Sequence, residues 1–148
     1  MKLNNIIFLV FSYQTENKDK IKYAIDSLLS DYVKEGEIEE ERIEGHYGDS
    51  IIEIKYLFQG KVCSKILDTL LSKFDKADII YLLSTLDSRV EKSKVHLRLD
   101  KQLLIAKNKL ALKDGDDIIK VIIGTGGRLK EFKEELKQFV NRDLHKES

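Results

Sequence analysis

The chain has 148 residues, 42% of them hydrophobic and 35% charged, and its 26 basic and 26 acidic side chains cancel to a formal net charge of zero. That length suits one domain with its own core and would be cramped for two; the hydrophobic share excludes wholesale disorder, and the neutral total excludes a protein-wide field that attracts polyanions. Cys63 is the only cysteine, so no internal disulfide forms, which fits a reducing cytoplasm, and the three scattered histidines offer no zinc-type ligand spacing.

Residues 5–13 are β-branched and aromatic and read as a buried strand. This apolar segment is too short to cross a bilayer and lacks a signal-peptide cleavage site. In the next segment Ile21, Ala24, Ile25, Leu28, Leu29 and Tyr32 recur at helical spacing. Residues 37–46 and 50–58 then read as two strands joined by the turn "GHYGDS". In the second, Ile52, Ile54, Tyr56 and Phe58 alternate with Glu53 and Lys55, as in a half-buried strand.

Two helices are predicted over roughly 60–74 and 76–88, with Val62, Ile66, Leu70 and Phe74 on the first and Ile79, Ile80, Leu83 and Leu86 on the second. Val95, Leu97 and Leu99 alternate with Lys94, His96 and Arg98 and open a predicted hairpin with its tip near Asp100 and Lys101; "LLIAKNKLAL" is its return arm. "KDGDD" is a turn, "IIKVIIG" another buried strand, and residues 128–148 an amphipathic helix with Leu129, Phe132, Leu136, Phe139 and Val140 on one stripe. The order β-α-β-β-α-α-β-β-β-α, with short turns between neighbouring strands, implies an α+β fold: a mainly antiparallel sheet with helices on one face. No proline, repeat or low-complexity linker marks a boundary, so residues 1–148 read as a single domain.

Three motifs invite a chemical reading. His46, Asp49 and Ser50 hold the residue types of a hydrolytic triad, but a tight turn does not aim three side chains at one point, and a hairpin turn or a ligand contact accounts for them. "GTGG" before the last helix lacks both the P-loop lysine and the dinucleotide fingerprint, and reads as a flexible connector. Asp114, Asp116 and Asp117 lack the rest of a calcium loop and read as a solvated turn. No catalytic residue, metal ligand or cofactor is therefore expected.

Charge is more informative. Residues 31–49 hold eight acidic and two basic side chains, whereas 91–113 hold seven basic and two acidic. On a ribbon, Lys94, His96 and Arg98 share one side, and Lys107 and Lys109 share one side of the return arm. Such a stripe suits a phosphate track, and it equally suits ordinary solvated charge.

"EGHYGDSIIEIKY", "LRLDKQLLIAKNKLAL" and "DGDDIIKVII", with the N-terminal strand and helix, resemble an archaeal family described as RNA-binding and as a predicted exosome subunit, over roughly residues 3–123. Asp49 and Ser50 depart from the Asn-Pro that commonly follows the family's glycine-histidine turn, and the resemblance is not traced through the GTGG connector and final helix. The resemblance implies a fold similar to ribosomal protein L-five and non-catalytic, cofactor-free binding of structured RNA in the cytoplasm, with exosome or ribosome-associated proteins as further partners. Lys94, Arg98, Lys101, Lys107 and Lys109 would then supply phosphate contacts, with Arg42, His46, Tyr47 and Lys55 as a second surface. The alternative is a protein–protein adaptor or homodimer that uses edge strands and the C-terminal helix.

Overall fold

A computed structural model describes residues 1–45 and 47–147, with side chains described as far as Arg142. Strand β1 (Asn5–Ser12) alternates strictly, burying Ile6, Phe8, Val10 and Ser12 and turning Ile7, Leu9 and Phe11 the other way, the two-residue period of a pleated strand. It pairs antiparallel with β3 (Ser50–Gln59) on one side and β6 (Ile118–Gly124) on the other. β2 (Glu37–Glu44) extends the sheet beyond β3, and β5 (Lys94–Asp100) with the short β4 (Val90–Glu91) extends it beyond β6. The six strands run in the order β2-β3-β1-β6-β5-β4.

The helices are α1 (Lys18–Leu29), α2 (Val62–Lys73), α3 (Lys76–Ser84), α4 (Leu86–Arg89), α5 (Lys101–Lys107) and α6 (Leu129–Glu147), with a 3-10 turn at Ser30–Glu35 after α1. Asn17 starts α1 by accepting the backbone N–H groups of Asp19 and Lys20 at 2.9 and 3.3 Å, which satisfies two donors that a helix start leaves unpaired. Ile21, Ala24, Ile25, Leu28 and Leu29 then meet the buried side chains of β1 and β3 in one core. Phe132 and Leu136 of α6 are fully buried in that same core, and α6 packs along α3 and α2. The fold is α+β, with the helical layer burying one sheet face. On the other face Ile7, Leu9, Phe11, Leu57, Ile118 and Ile122 stay partly accessible to solvent.

The chain departs from expectation between residues 85 and 112. The helix predicted over 76–88 breaks at Thr85 into α3 and α4. The predicted return arm is instead helix α5, followed by an extended segment with one bridge, Leu99 to Leu112. The Asp100 carboxylate accepts the Leu103 N–H at 3.0 Å and starts the helix; Asn108, left-handed at φ 51°, ends it with its N–H on Leu104 O at 2.9 Å. The apolar run fits a helix as well as a strand, and the cap settles the choice. The hairpin lies upstream, where Lys92 and Ser93 with φ of 50° and 64° join β4 to β5, the pair of positive angles a tight hairpin turn requires.

Candidate functional site

Strand pleating puts Lys94, His96 and Arg98 on the face that the helices leave open, as their spacing predicted. The register adds what spacing does not show. Arg98 lies opposite Lys120 of β6, and Lys120 lies opposite Leu9 of β1. Sequence reading passed over Lys120 because it took "IIKVIIG" as a strand buried on both faces; a lone lysine in that run was the available signal.

A groove of about 610 Å³ opens at this edge, lined by Arg89, His96, Arg98 and Lys120 together with Tyr81, Ser88 and the acidic Glu91 and Asp114. Arg89 closes α4; its Nε donates to Thr85 Oγ1 at 2.8 Å, and its guanidinium sits 5.6 Å from the Tyr81 ring centroid. These contacts hold the guanidinium in place at little entropic cost. A smaller hollow of about 150 Å³, lined by Leu9, Phe11 and Ile118, shares Arg98 and Lys120 with the groove. Two cations thus stand between a polar groove and an apolar hollow. Burial, then the charge of Lys120, holds His96 below its ordinary value, so its imidazole is neutral near pH 7.

The other predicted contacts do not join this cluster. Lys101 is a correction. It is 1% exposed, with Nζ 2.7 Å from Glu16 Oε1 and 2.8 Å from Asp117 Oδ1. It also donates to Phe11 O at 2.8 Å and lies 5.0 Å from the Tyr13 ring centroid. A cation so enclosed has no surface for a phosphate. Asp117, read as part of a solvated turn, is therefore a structural partner. Lys107 ends α5, which packs against α1 in the helical layer, and Lys109, just past the helix cap, faces Asp75 at 3.7 Å. They form no stripe with Lys94 and Arg98, because the ribbon that would have aligned them is a helix.

The second surface is divided as well. Arg42 lies opposite Ile52 and shares the helix side of the sheet, whereas Lys55 lies opposite Leu9 on the open side, 3.6 Å from Glu53. Tyr47 is exposed at the turn, and His46 lies outside the described residues. The turn closes through Gly45 N–H to Asp49 O at 2.7 Å and Gly48 N–H to Gly45 O at 3.1 Å. Gly48 has φ +75°, which a side chain disfavours.

The GTGG segment is anchored rather than flexible. Thr125 is fully buried, and both its hydroxyl and its N–H donate to Ser93 O, at 2.8 and 3.0 Å, fastening the β4–β5 turn. A Cβ on Gly124 would collide with the Asn5 side chain. Among the described residues, no group of three His, Cys, Asp or Glu is placed to hold a metal, and no helix is long and apolar enough to cross a membrane.

The sequence profile of a family described as RNA binding matches residues 5–125. An uncharacterised protein of Methanocaldococcus jannaschii is 31% identical over 147 residues, spanning 96% of this chain and 98% of that one. A Pyrococcus abyssi protein named an RNA-binding protein is 27% identical over 130 residues, 83% of this chain and 82% of its own. Among solved structures, a Sulfolobus solfataricus protein superposes with a TM-score of 0.86 at 36% identity, covering 95% of this chain and 99% of that one.

Proposed function

The chain belongs to this RNA-binding family, and from that premise we propose that it binds structured RNA without catalysis and without a cofactor, through the groove at the β4–β5 edge. The observation that carries the reading is the placement of Arg98 and Lys120 side by side between that groove and the apolar hollow. Phosphates would lie against Arg89, Arg98 and Lys120, and a sugar or base against Tyr81 or the hollow. RNA is held in this way by shape and by phosphate and 2′-hydroxyl contacts rather than by a base code. Glu37, Glu39 and Glu41 on the opposite edge of the same face repel a polyanion and leave the basic edge as its approach. In RNA processing or degradation, with the exosome among the candidate settings, such a surface holds a substrate for another protein to cut.

The test is RNA affinity against salt for an Arg98→Ala, Lys120→Ala variant, using a pool of structured RNA hairpins. Each lost phosphate contact lowers the salt slope by about 0.7–0.9. An unchanged slope removes the groove from the reading. His96 supplies a pH test. A phosphate beside the imidazole favours its charged form, so binding takes up a proton, and affinity rises as pH falls through the titration of His96, which burial and Lys120 hold below its ordinary value. A His96→Gln variant loses that rise while binding normally at higher pH; equal pH profiles for the two proteins would take His96 out of the site.

A further inference from the structure

The ladder between β1 and β6 stops at Leu9 opposite Lys120, although β1 runs on to Ser12 and β6 already begins at Ile118. Past that point the Lys101 ammonium links the two strand ends, donating to Phe11 O and to Asp117 Oδ1, both at 2.8 Å. On the open face this parting leaves the hollow of about 150 Å³, with Leu9 and Phe11 of β1 on one side and Ile118 of β6 on the other. The loop before β6 closes it: Gly115 and Asp116 line the hollow, and Gly115 O accepts an N–H of the Arg98 guanidinium at 3.4 Å. Among the described residues neither Arg98 nor Lys120 is in an ion pair. The hollow is therefore largely apolar within, has two cations at its mouth, and has room for one base but not for a base pair.

We infer, resting on the reading that this face binds RNA, that the hollow receives the base of an unpaired nucleotide whose phosphate lies on Arg98 and Lys120. The RNA recognised is then one interrupted by a bulge or loop, not a continuous duplex. A duplex keeps its bases stacked and shows a protein its phosphates and 2′-hydroxyls, and none of these gains from apolar walls. An unstacked base does gain, because every base has a π-face that stacks on an aromatic ring such as Phe11. The Asp116 carboxylate repels a phosphate from the hollow, while the cations attract it to the mouth, so the nucleotide enters base first. On the far side of Arg98 and Lys120 the polar groove continues, and the flanking backbone lies there.

The experiment compares three RNA hairpins that differ at one position of the stem: fully paired, with one unpaired nucleotide inserted, and with an abasic residue in place of that nucleotide. Binding is measured with the full chain at fixed salt. The bulged hairpin is expected to bind about tenfold tighter than the paired one, within the range a base gains from stacking on an aromatic side chain. The abasic hairpin keeps the flexible backbone and lacks only the base, and it is expected to bind no better than the paired one. Phe11→Ala is expected to level the three affinities and to leave the salt slope unchanged, because no phosphate contact is lost. Equal binding of bulged and paired hairpins, an equal gain from the abasic one, or a preference that survives in a folded Phe11→Ala protein overturns the inference. If Phe11→Ala does not fold, the abasic comparison decides alone. Hairpins bound alike, with a salt slope that still falls in Arg98→Ala, Lys120→Ala, defeat this inference and leave the RNA reading standing. A wild type that binds none of the three defeats both.

Discussion

Replacing Lys101 by methionine is expected to lower the unfolding free energy by about 2–4 kcal/mol, somewhat below the cost of breaking a fully buried pair because its partners are partly solvated. Lys101 ties the N-terminal part of the chain, at the end of β1 through Phe11 O and in the adjoining β1–α1 loop through Glu16, to the loop before β6 through Asp117. Gln102 donates to the same two carboxylates at 3.2 and 3.0 Å, so losing the ammonium leaves a half-satisfied network. Burial would raise both carboxyls, but the hydrogen bonds from Lys101 and Gln102, with the Tyr13 N–H on Glu16, hold them below their usual range. Groups depressed in the folded state contribute stability above their unfolded values, near pH 4, and that stability is lost as pH falls through the folded values. Urea unfolding of Lys101→Met should therefore show lower stability at pH 7 and a flatter loss below pH about 4.5. Its RNA salt slope should match wild type. A reduced slope would mean that Lys101 reaches phosphate after all.

Phe132→Ala is expected to cost about 3–5 kcal/mol, the range for deleting a fully buried aromatic side chain. Its position makes the experiment informative. α6 lies beyond the family-matched residues 5–125, yet Phe132 and Leu136 are fully buried between α6 and the rest of the core. If α6 were an appendage, the substitution would loosen one helix and leave the main unfolding transition in place. Packed as it is, the change should lower the midpoint of one cooperative transition followed by both far-ultraviolet circular dichroism and tyrosine fluorescence. A loss below about 1 kcal/mol, the usual range for surface sites, or two separate transitions, would show that the helix folds apart from the sheet.

The elements that periodicity anticipated share one property: a single burial pattern explains them. β1, β3, β5 and β6 each bury alternate residues, α1 and α2 each bury one stripe, and Phe132 and Leu136 keep the stripe of α6. Residues 101–107 broke the expectation because a short leucine-rich run fits both periods, and only the Asp100 cap and the buried Leu104 favour a helix. The candidate site divides along the same line. Lys94, His96 and Arg98 were legible because two-residue spacing along one strand is local. Lys120 and Arg89 were not, because they reach the groove through strand register and the end of α4.

The sequence by itself determined the α+β class, the boundaries of most elements, the alternating cations of β5 and the resemblance to an RNA-binding family. These follow from local periodicity and from motifs that lie along the chain. Only the tertiary structure decided that Lys101 is an internal strut, that Arg42 and Lys55 lie on opposite sides of the sheet, and that Arg98 stands beside Lys120. The physical reason is that a charge acts through its neighbours in space. The partners of Lys101 stand 85 and 16 residues away, and no pattern along the chain records such distances until pairing and burial bring the segments together.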